Sequence, residues 1–362
     1  MMATLEQTAP ISGSGQRVLK MGVAGLGVGS TQILPAMERM PEIDLIAGAD
    51  LRGDARDAFV ERFHGRAYDS VEKLCADPDV EAVWISTTNQ VHCEHVLIAA
   101  NHGKHIVIEK PMALSIEECE RMVEAVERNG VKLLCGHTQS FNPAIQQMRR
   151  VIASGELGRV YALNTWMSTD WMLRPRMPQE LDVALGGGVV YRQGPHQIDT
   201  IRLLGGGMVR SVRAMTGQWM KERAAPGYYG AYLEFEDGTP ATVVYNGYGY
   251  FDTSELTWDI GERHYASEDR IRVRKALREQ SFDEVKAKEA MRFGGQREGA
   301  FAHSEATSER SRPQAGTGHF FGVTLASCER GDVRQSPNGL YVYGDEGRRE
   351  IPVAGANASR NT

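Results

Sequence analysis

The chain has 362 residues, more than one ordinary hydrophobic core accommodates and enough for two domains. Its net charge of −6 argues against broad electrostatic binding to nucleic acid. No apolar run approaches the roughly 20 residues that cross a bilayer.

Residues 1–16 are polar, rich in Ser, Thr and Gly, and lack a basic segment followed by an apolar one, so they read as a disordered tail and not as a signal peptide. From Arg17 to about His137, short apolar strands alternate with helices. Strands are expected over Val18–Ala24, Ile43–Ala49, Val80–Thr87, His105–Glu109 and Val131–Gly136, with helices between them. The helix after Ser115 opens with a capping box through Glu118, and Gly130 supplies its left-handed end. Such alternation predicts a parallel, doubly wound sheet with right-handed crossovers over residues 17–141.

The pattern then changes. Pro143 opens a helix to about Ser154, and long strands follow over Val160–Ser168, Val209–Trp219 and Tyr228–Tyr250, the last folded at Asp237-Gly238. Residues 142–362 therefore read as an α+β domain with a large, mainly antiparallel sheet. Within it, 262–318 is charged and weakly patterned, and is expected to be an insertion or lid. His319–Arg330 reads as a helix and Leu340–Val353 as a closing hairpin. There are no internal repeats. Five cysteines (Cys75, Cys93, Cys119, Cys135 and Cys328) form no CxxC pair, the usage of a reducing cytoplasm with cysteine as a small core filler.

The first strand runs into Gly25-Leu26-Gly27-Val28-Gly29-Ser30 and then a helix. Gly25 permits the tight turn, Gly27 lets backbone approach a pyrophosphate, and the small Ser30 permits close helix–strand packing. Asp50, at the end of the second strand, is placed to bond the adenine ribose hydroxyls and repel a 2′-phosphate. This favours NAD; the nearby Arg52 works the other way and keeps NADP as the less favoured alternative.

These features, with Thr87-Thr88-Asn89-Gln90-Val91-His92, Glu109-Lys110-Pro111 and Gly186-Gly187-Gly188…His196…Asp199, resemble the glucose–fructose oxidoreductase / inositol dehydrogenase / rhizopine-catabolism family over nearly the whole chain. The resemblance implies a Rossmann domain and an open-faced sheet domain that makes oligomer contacts, in a dimer or tetramer. It implies that Thr87, Thr88, Asn89, His92 and Glu109 line the cofactor, and that Lys110, before a cis proline, touches the reacting hydroxyl. Thr88 stands where the family commonly has proline. A lysine at the carboxyl end of a parallel strand also faces the ligand crevice on general grounds, where desolvation lowers its pKa toward that of a usable base. A surface lysine beside a turn is the alternative.

His196 occupies the family's second catalytic position, and an imidazole there can accept the hydroxyl proton. Polyol-oxidising members carry Asp four residues earlier, where this chain has Arg192. That exchange replaces a group that orients sugar hydroxyls with a planar cation suited to carboxylates. Arg174 and Arg176, in an irregular loop, add to it, unless they are solvated loop charges. Three converging arginines suit a small dicarboxylate substrate. His137 is a further pocket candidate, and Asp199 either orients His196 or is structural. The stretches Trp166–His196 and Cys328–Pro337 resemble the branch of phthalate 4,5-cis-dihydrodiol dehydrogenases, which implies NAD-dependent oxidation to 4,5-dihydroxyphthalate.

The competing readings are a dehydrogenase of an acidic sugar or carboxylated polyol, and a cofactor-binding regulator without chemistry. His92 and His95 flank Cys93, but zinc needs three or four ligands in a defined geometry, so no metal is expected. The arginines between Arg263 and Arg312 alternate with acids, as a solvated or oligomer-contact segment does.

Overall fold

The computed structural model describes residues 17–136, 138–261, 267–281, 283–295 and 320–353. These fall into two compact units: 17–136 with 288–295, and the described residues of 138–287 with 320–353.

The first unit begins with β1 (Leu19–Ala24), α1 (Ser30–Met37), β2 (Ile43–Ala49), α2 (Gly53–Phe63), β3 (Arg66–Tyr68) and α3 (Val71–Ala76). It continues with β4 (Ala82–Ile85), α4 (His92–Asn101), β5 (His105–Glu109), α5 (Ile116–Arg128) and β6 (Leu133–Gly136). All six strands pair in parallel in the order β3-β2-β1-β4-β5-β6, the doubly wound Rossmann arrangement expected. The strands are apolar along their length because helices cover both faces. Val83, Ile85, Ile106 and Ile108 pack with Val96, Met122 and Val126, while Met21, Val23, Leu34 and Phe59 pack with Phe293. Phe293 returns to this unit from the region read as an insertion, its ring 6.0 Å from that of Phe63. Ser115 Oγ accepts from the Glu118 amide at 3.2 Å, and Glu118 Oε2 accepts from the Leu114 amide at 3.0 Å, one residue before the expected partner.

In the second unit, α6 (Pro143–Ala153) is capped by Asn142 Oδ1, which accepts from the Ala144 amide. It is followed by β7 (Val160–Ser168), α7 (Gly188–Arg192), α8 (Gly194–Gly205), β8 (Val209–Gly217), β9 (Tyr228–Phe235) and β10 (Pro240–Asn246). Then come α9 (Ser267–Arg278), α10 (Glu284–Glu289), β11 (Val323–Cys328), β12 (Gly331–Ser336), β13 (Gly339–Gly344) and β14 (Gly347–Pro352). The eight strands run in the order β14-β13-β12-β11-β7-β10-β9-β8, antiparallel except for β7 with β10. The sheet buries Leu163, Met167, Leu233 and Val243 against Ile145, Met148, Ile201 and Leu204 of α6 and α8. The β9–β10 hairpin turns at Gly238, whose φ of +84° suits glycine.

The helix expected over His319–Arg330 is instead β11. Thr324, Ala326 and Cys328 point inward and their neighbours outward, a period of two. The inward Thr324 and Ala326 are small and less apolar than the outward Val323 and Leu325, which hides the strand period in the sequence. The expected 262–318 insertion contains α9 and α10, and its remaining residues lie largely outside those described.

Candidate functional site

In the first unit the glycine turn is tightly packed below and open above. Gly25 has φ +92°, and a side chain there would put Cβ 2.6 Å from the Ser86 carbonyl oxygen. At Gly27 a Cβ meets nothing within 4 Å. The buried Ser30 donates its hydroxyl to the Gly25 carbonyl and ties the turn to α1. No side chain caps the start of α1 and no acid sits in its first turn, so that end suits a phosphate anion. Gly29 would place a Cβ 2.8 Å from Ser86 Oγ, while the Val28 carbonyl accepts from Thr31 Oγ1.

Asp50 Oδ2 accepts from the Leu26 amide at 2.8 Å and Oδ1 from the Arg52 amide at 2.9 Å. Arg52 Nε lies 3.3 Å from the same carboxylate, and its Nη2 donates to the Leu26 carbonyl at 2.8 Å. Arg52 is thus engaged with Asp50, so it does not cancel the acid's preference against a 2′-phosphate. An unobstructed glycine face, an uncapped helix start and an acid at the end of β2 fit NAD.

Beyond β4, Thr88 precedes a 3₁₀ turn at Asn89–Val91, and Asn89 is buried. Thr87 Oγ1 lies 2.9 Å from His95 Nδ1. His92 is fully buried, its Nδ1 2.9 Å from the Pro111 carbonyl and its Nε2 3.3 Å from the Thr87 carbonyl. The ring thus lies between carbonyls of the loops after β4 and β5, and the shorter contact, to Pro111, is the bracing one. The Lys110–Pro111 peptide is cis, and Lys110 is half-buried. Burial raises the pKa of Glu109 above the ordinary carboxylate range despite the neighbouring Lys110 charge.

In the second unit, residues 169–185 form an irregular knot after β7. Arg174 Nε lies 3.1 Å from Asp170 Oδ1, and its Nη2 donates to Thr169 Oγ1. Arg176 lies 3.5 Å over the Trp171 ring, donates to the Trp171 carbonyl at 2.7 Å, and meets Glu180 Oε1 at 3.2 Å. Burial pushes its pKa down to about 10, against the pull of Glu180. Arg192, at the end of α7, reaches the same Glu180 oxygen at 3.7 Å. Side-chain exposure is 10% at Arg174, 6% at Arg176 and 22% at Arg192, so Arg192 is the most open of the three. Burial also lowers the Arg192 pKa, against Glu180.

The knot is fastened from behind. Arg223 Nη1 bonds both Glu284 oxygens, at 2.9 and 2.8 Å, and its Nε donates to the Met172 carbonyl at 2.7 Å. Glu284 also accepts from the Arg176 amide at 3.1 Å. Neither this pair nor Glu180 was identified from sequence. The spacing of Arg176 and Glu180 offered a signal, whereas Arg223 and Glu284, 61 positions apart, offered none.

His196 is buried in the first turn of α8, its ring centroid 5.0 Å from that of Phe321. Its neighbour Gln197 is fixed by Thr165, the Val244 carbonyl and the Tyr229 hydroxyl. Asp199 is half-buried, and its Oδ2 has no hydrogen-bond partner among the described residues. His137 lies outside the described residues. Among the described residues no group of three or more His, Cys, Asp or Glu could hold a metal, and no helix is long and apolar enough to cross a membrane.

Residues 19–137 match the GFO/IDH/MocA description "Oxidoreductase family, NAD-binding Rossmann fold", and residues 145–260 match the "GFO/IDH/MocA C-terminal domain". The chain is 35% identical over 332 residues to the 1-carboxy-3-chloro-3,4-dihydroxycyclohexa-1,5-diene dehydrogenase of Comamonas testosteroni, covering 90% of this chain and 81% of the relative. A crystal structure from Bordetella bronchiseptica RB50 superposes with a TM-score of 0.84 at 37% identity, over 93% of this chain and 85% of that one. The WlbA dehydrogenase of Chromobacterium violaceum, solved with NADH and UDP-GlcNAcA, shares the fold at 18% identity and a TM-score of 0.66, over 93% and 79% of the two chains.

Proposed function

The chain belongs to the GFO/IDH/MocA family and is an NAD-dependent oxidoreductase, and from that premise we propose that it oxidises a cis-dihydrodiol of an aromatic acid to the catechol. The observation that carries the proposal is Arg192, a partly open guanidinium held by Glu180. A planar cation suits a substrate carboxylate far better than a sugar hydroxyl. The Comamonas relative, named for a carboxylated cyclohexadiene diol, supports the same class. Phthalate 4,5-cis-dihydrodiol, which would yield 4,5-dihydroxyphthalate, is the first candidate from the sequence resemblance.

Bound NAD supplies the hydride acceptor. The chain's own groups hold the cofactor through the Gly25–Ser30 turn and Asp50, with Thr87, Thr88, Asn89, His92 and Glu109 shaping the loops beside it. The hydroxyl proton goes to Lys110 or His196, the two candidate bases. The resulting enone tautomerises to the catechol, and aromatisation makes the oxidation favourable. In this proposal Arg174, Arg176 and Arg192 build the anion-binding segment, and Asp199 is a positioning candidate for His196. Assembly into a homo-oligomer belongs to the same reading, supported by the exposed Trp166 and Tyr232 on the sheet.

The test is NADH formation with purified protein and a panel of carboxylated cis-dihydrodiols, uronates and inositols. Turnover confined to the diols is expected. Oxidation of uronates alone would transfer the assignment to acidic sugars, the second reading.

A further inference from the structure

The first turn of α8 is held by more than its own helix bonds. The His196 amide donates to the Gln193 carbonyl at 3.2 Å, and the His196 carbonyl accepts from Thr200 Oγ1 at 2.9 Å. The next residue, Gln197, is 1% exposed and reaches the sheet. Its Nε2 donates to Thr165 Oγ1 of β7 and to the Val244 carbonyl of β10, each at 3.2 Å, and its Oε1 accepts from the Tyr229 hydroxyl of β9. A carbonyl only accepts, so the Val244 contact fixes which end of the amide faces β10. Burial raises the Tyr229 pKa, so the phenol keeps the proton that it donates. One side chain thus ties the turn to three adjacent strands. A second path leads from the same tyrosine to the imidazole. Tyr229 stacks on Tyr245 with ring centroids 5.8 Å apart, Tyr245 lies 6.1 Å from Phe321, and Phe321 lies 5.0 Å from His196.

We infer that Gln197 is a positioning residue for His196, with Tyr229 as its anchor: the amide sets the rotation and height of the first turn of α8 on the sheet, and so where the imidazole stands. This rests on the reading of His196 as a proton acceptor and adds to it the groups that place the ring. Without the amide, only the local bonds from Gln193 and Thr200 and the Phe321 ring hold that turn. A base must stand within hydrogen-bond reach of the proton it takes, so a small displacement costs rate far more than affinity.

The experiment measures kcat, KM and NAD affinity for Gln197→Met, Tyr229→Phe, His196→Ala and the Gln197→Met/His196→Ala double variant. It uses the best substrate of the panel of carboxylated cis-dihydrodiols, uronates and inositols, in single turnovers where a variant is slow. Gln197→Met is expected to lose about tenfold or more in kcat, with KM and NAD affinity little changed. Tyr229→Phe removes one bond and keeps the ring stack, so it should lose less in the same sense, and it tests the same lock where Gln197→Met fails to fold. With His196 already replaced by alanine, Gln197→Met should cost less than about twofold more, since no imidazole is left to place. Wild-type kcat in folded Gln197→Met and Tyr229→Phe, or the same loss with and without His196, overturns the inference and makes the amide a purely structural tie. Full kcat in His196→Ala, or no turnover of any panel member by wild type, overturns the underlying reading instead.

Discussion

The Nδ1 atom of His92 lies 2.9 Å from the carbonyl oxygen of Pro111, which joins the turn after β4 to the turn after β5. A neutral imidazole has one N–H, and the shorter contact assigns it to this bond, with Nε2 facing Thr87. His92→Ala leaves a buried carbonyl unsatisfied, so it should cost about 1–3 kcal/mol of stability. Urea denaturation measures this; an unchanged midpoint would mean that the brace is idle.

Gly27 and Gly25 should separate binding from folding. A Cβ at Gly27 meets open space, so Gly27→Ala should keep the wild-type Tm while NAD affinity falls about tenfold or more. Gly25→Ala forces a positive φ and a contact with Ser86, so both Tm and affinity should fall. Thermal melts with and without NAD distinguish the two, and a destabilised Gly27→Ala would contradict the open face.

In the proposed reading the Asp50 carboxylate, paired with Arg52, sets the cofactor preference. Asp50→Ser removes the charge that opposes a 2′-phosphate and releases the Arg52 guanidinium from its pair. The ratio of NADP to NAD affinity should rise about tenfold or more, a difference near 1.4 kcal/mol. Titration of both nucleotides reads the ratio directly.

Arg223 and Glu284 form the fastening behind the arginine segment, with Arg223 1% and Glu284 27% exposed. Removing one partner of a largely buried pair should destabilise the second unit by about 3–5 kcal/mol for Arg223→Ala, because Glu284 and two backbone carbonyls lose their donor. Glu284→Gln should cost less, since its partly exposed position screens the charge. Equal, small losses in denaturation would show the pair to be dispensable.

Glu109 makes stability depend on pH in a stated direction. Its pKa is raised by burial, so the folded state binds the proton more tightly than the unfolded chain does. Its contribution is complete below the ordinary glutamate range and is lost as pH rises through the shifted pKa. Glu109→Gln, with no charge to bury, should therefore gain on wild type as pH rises across that window. Melting curves of both proteins below the window and at neutral pH give the comparison, and a constant gap would refute the coupling.

The sequence by itself determined the Rossmann unit, the hairpin at Asp237-Gly238 and the glycine turn, because these rest on local patterns: short apolar strands between helices, capping residues and glycines needed for a turn. It also singled out Arg174, Arg176 and Arg192 as candidates for holding an anion. Only the tertiary structure decided which of the three is open, since their partners include Glu180, which is read locally only with hindsight, and the fastening comes from Arg223 and Glu284, far apart in the chain. The same limit explains β11. Its inward Thr324 and Ala326 are less apolar than the outward Val323 and Leu325, so pairing with β7 and β12, and not the chain's own pattern, makes that segment a strand.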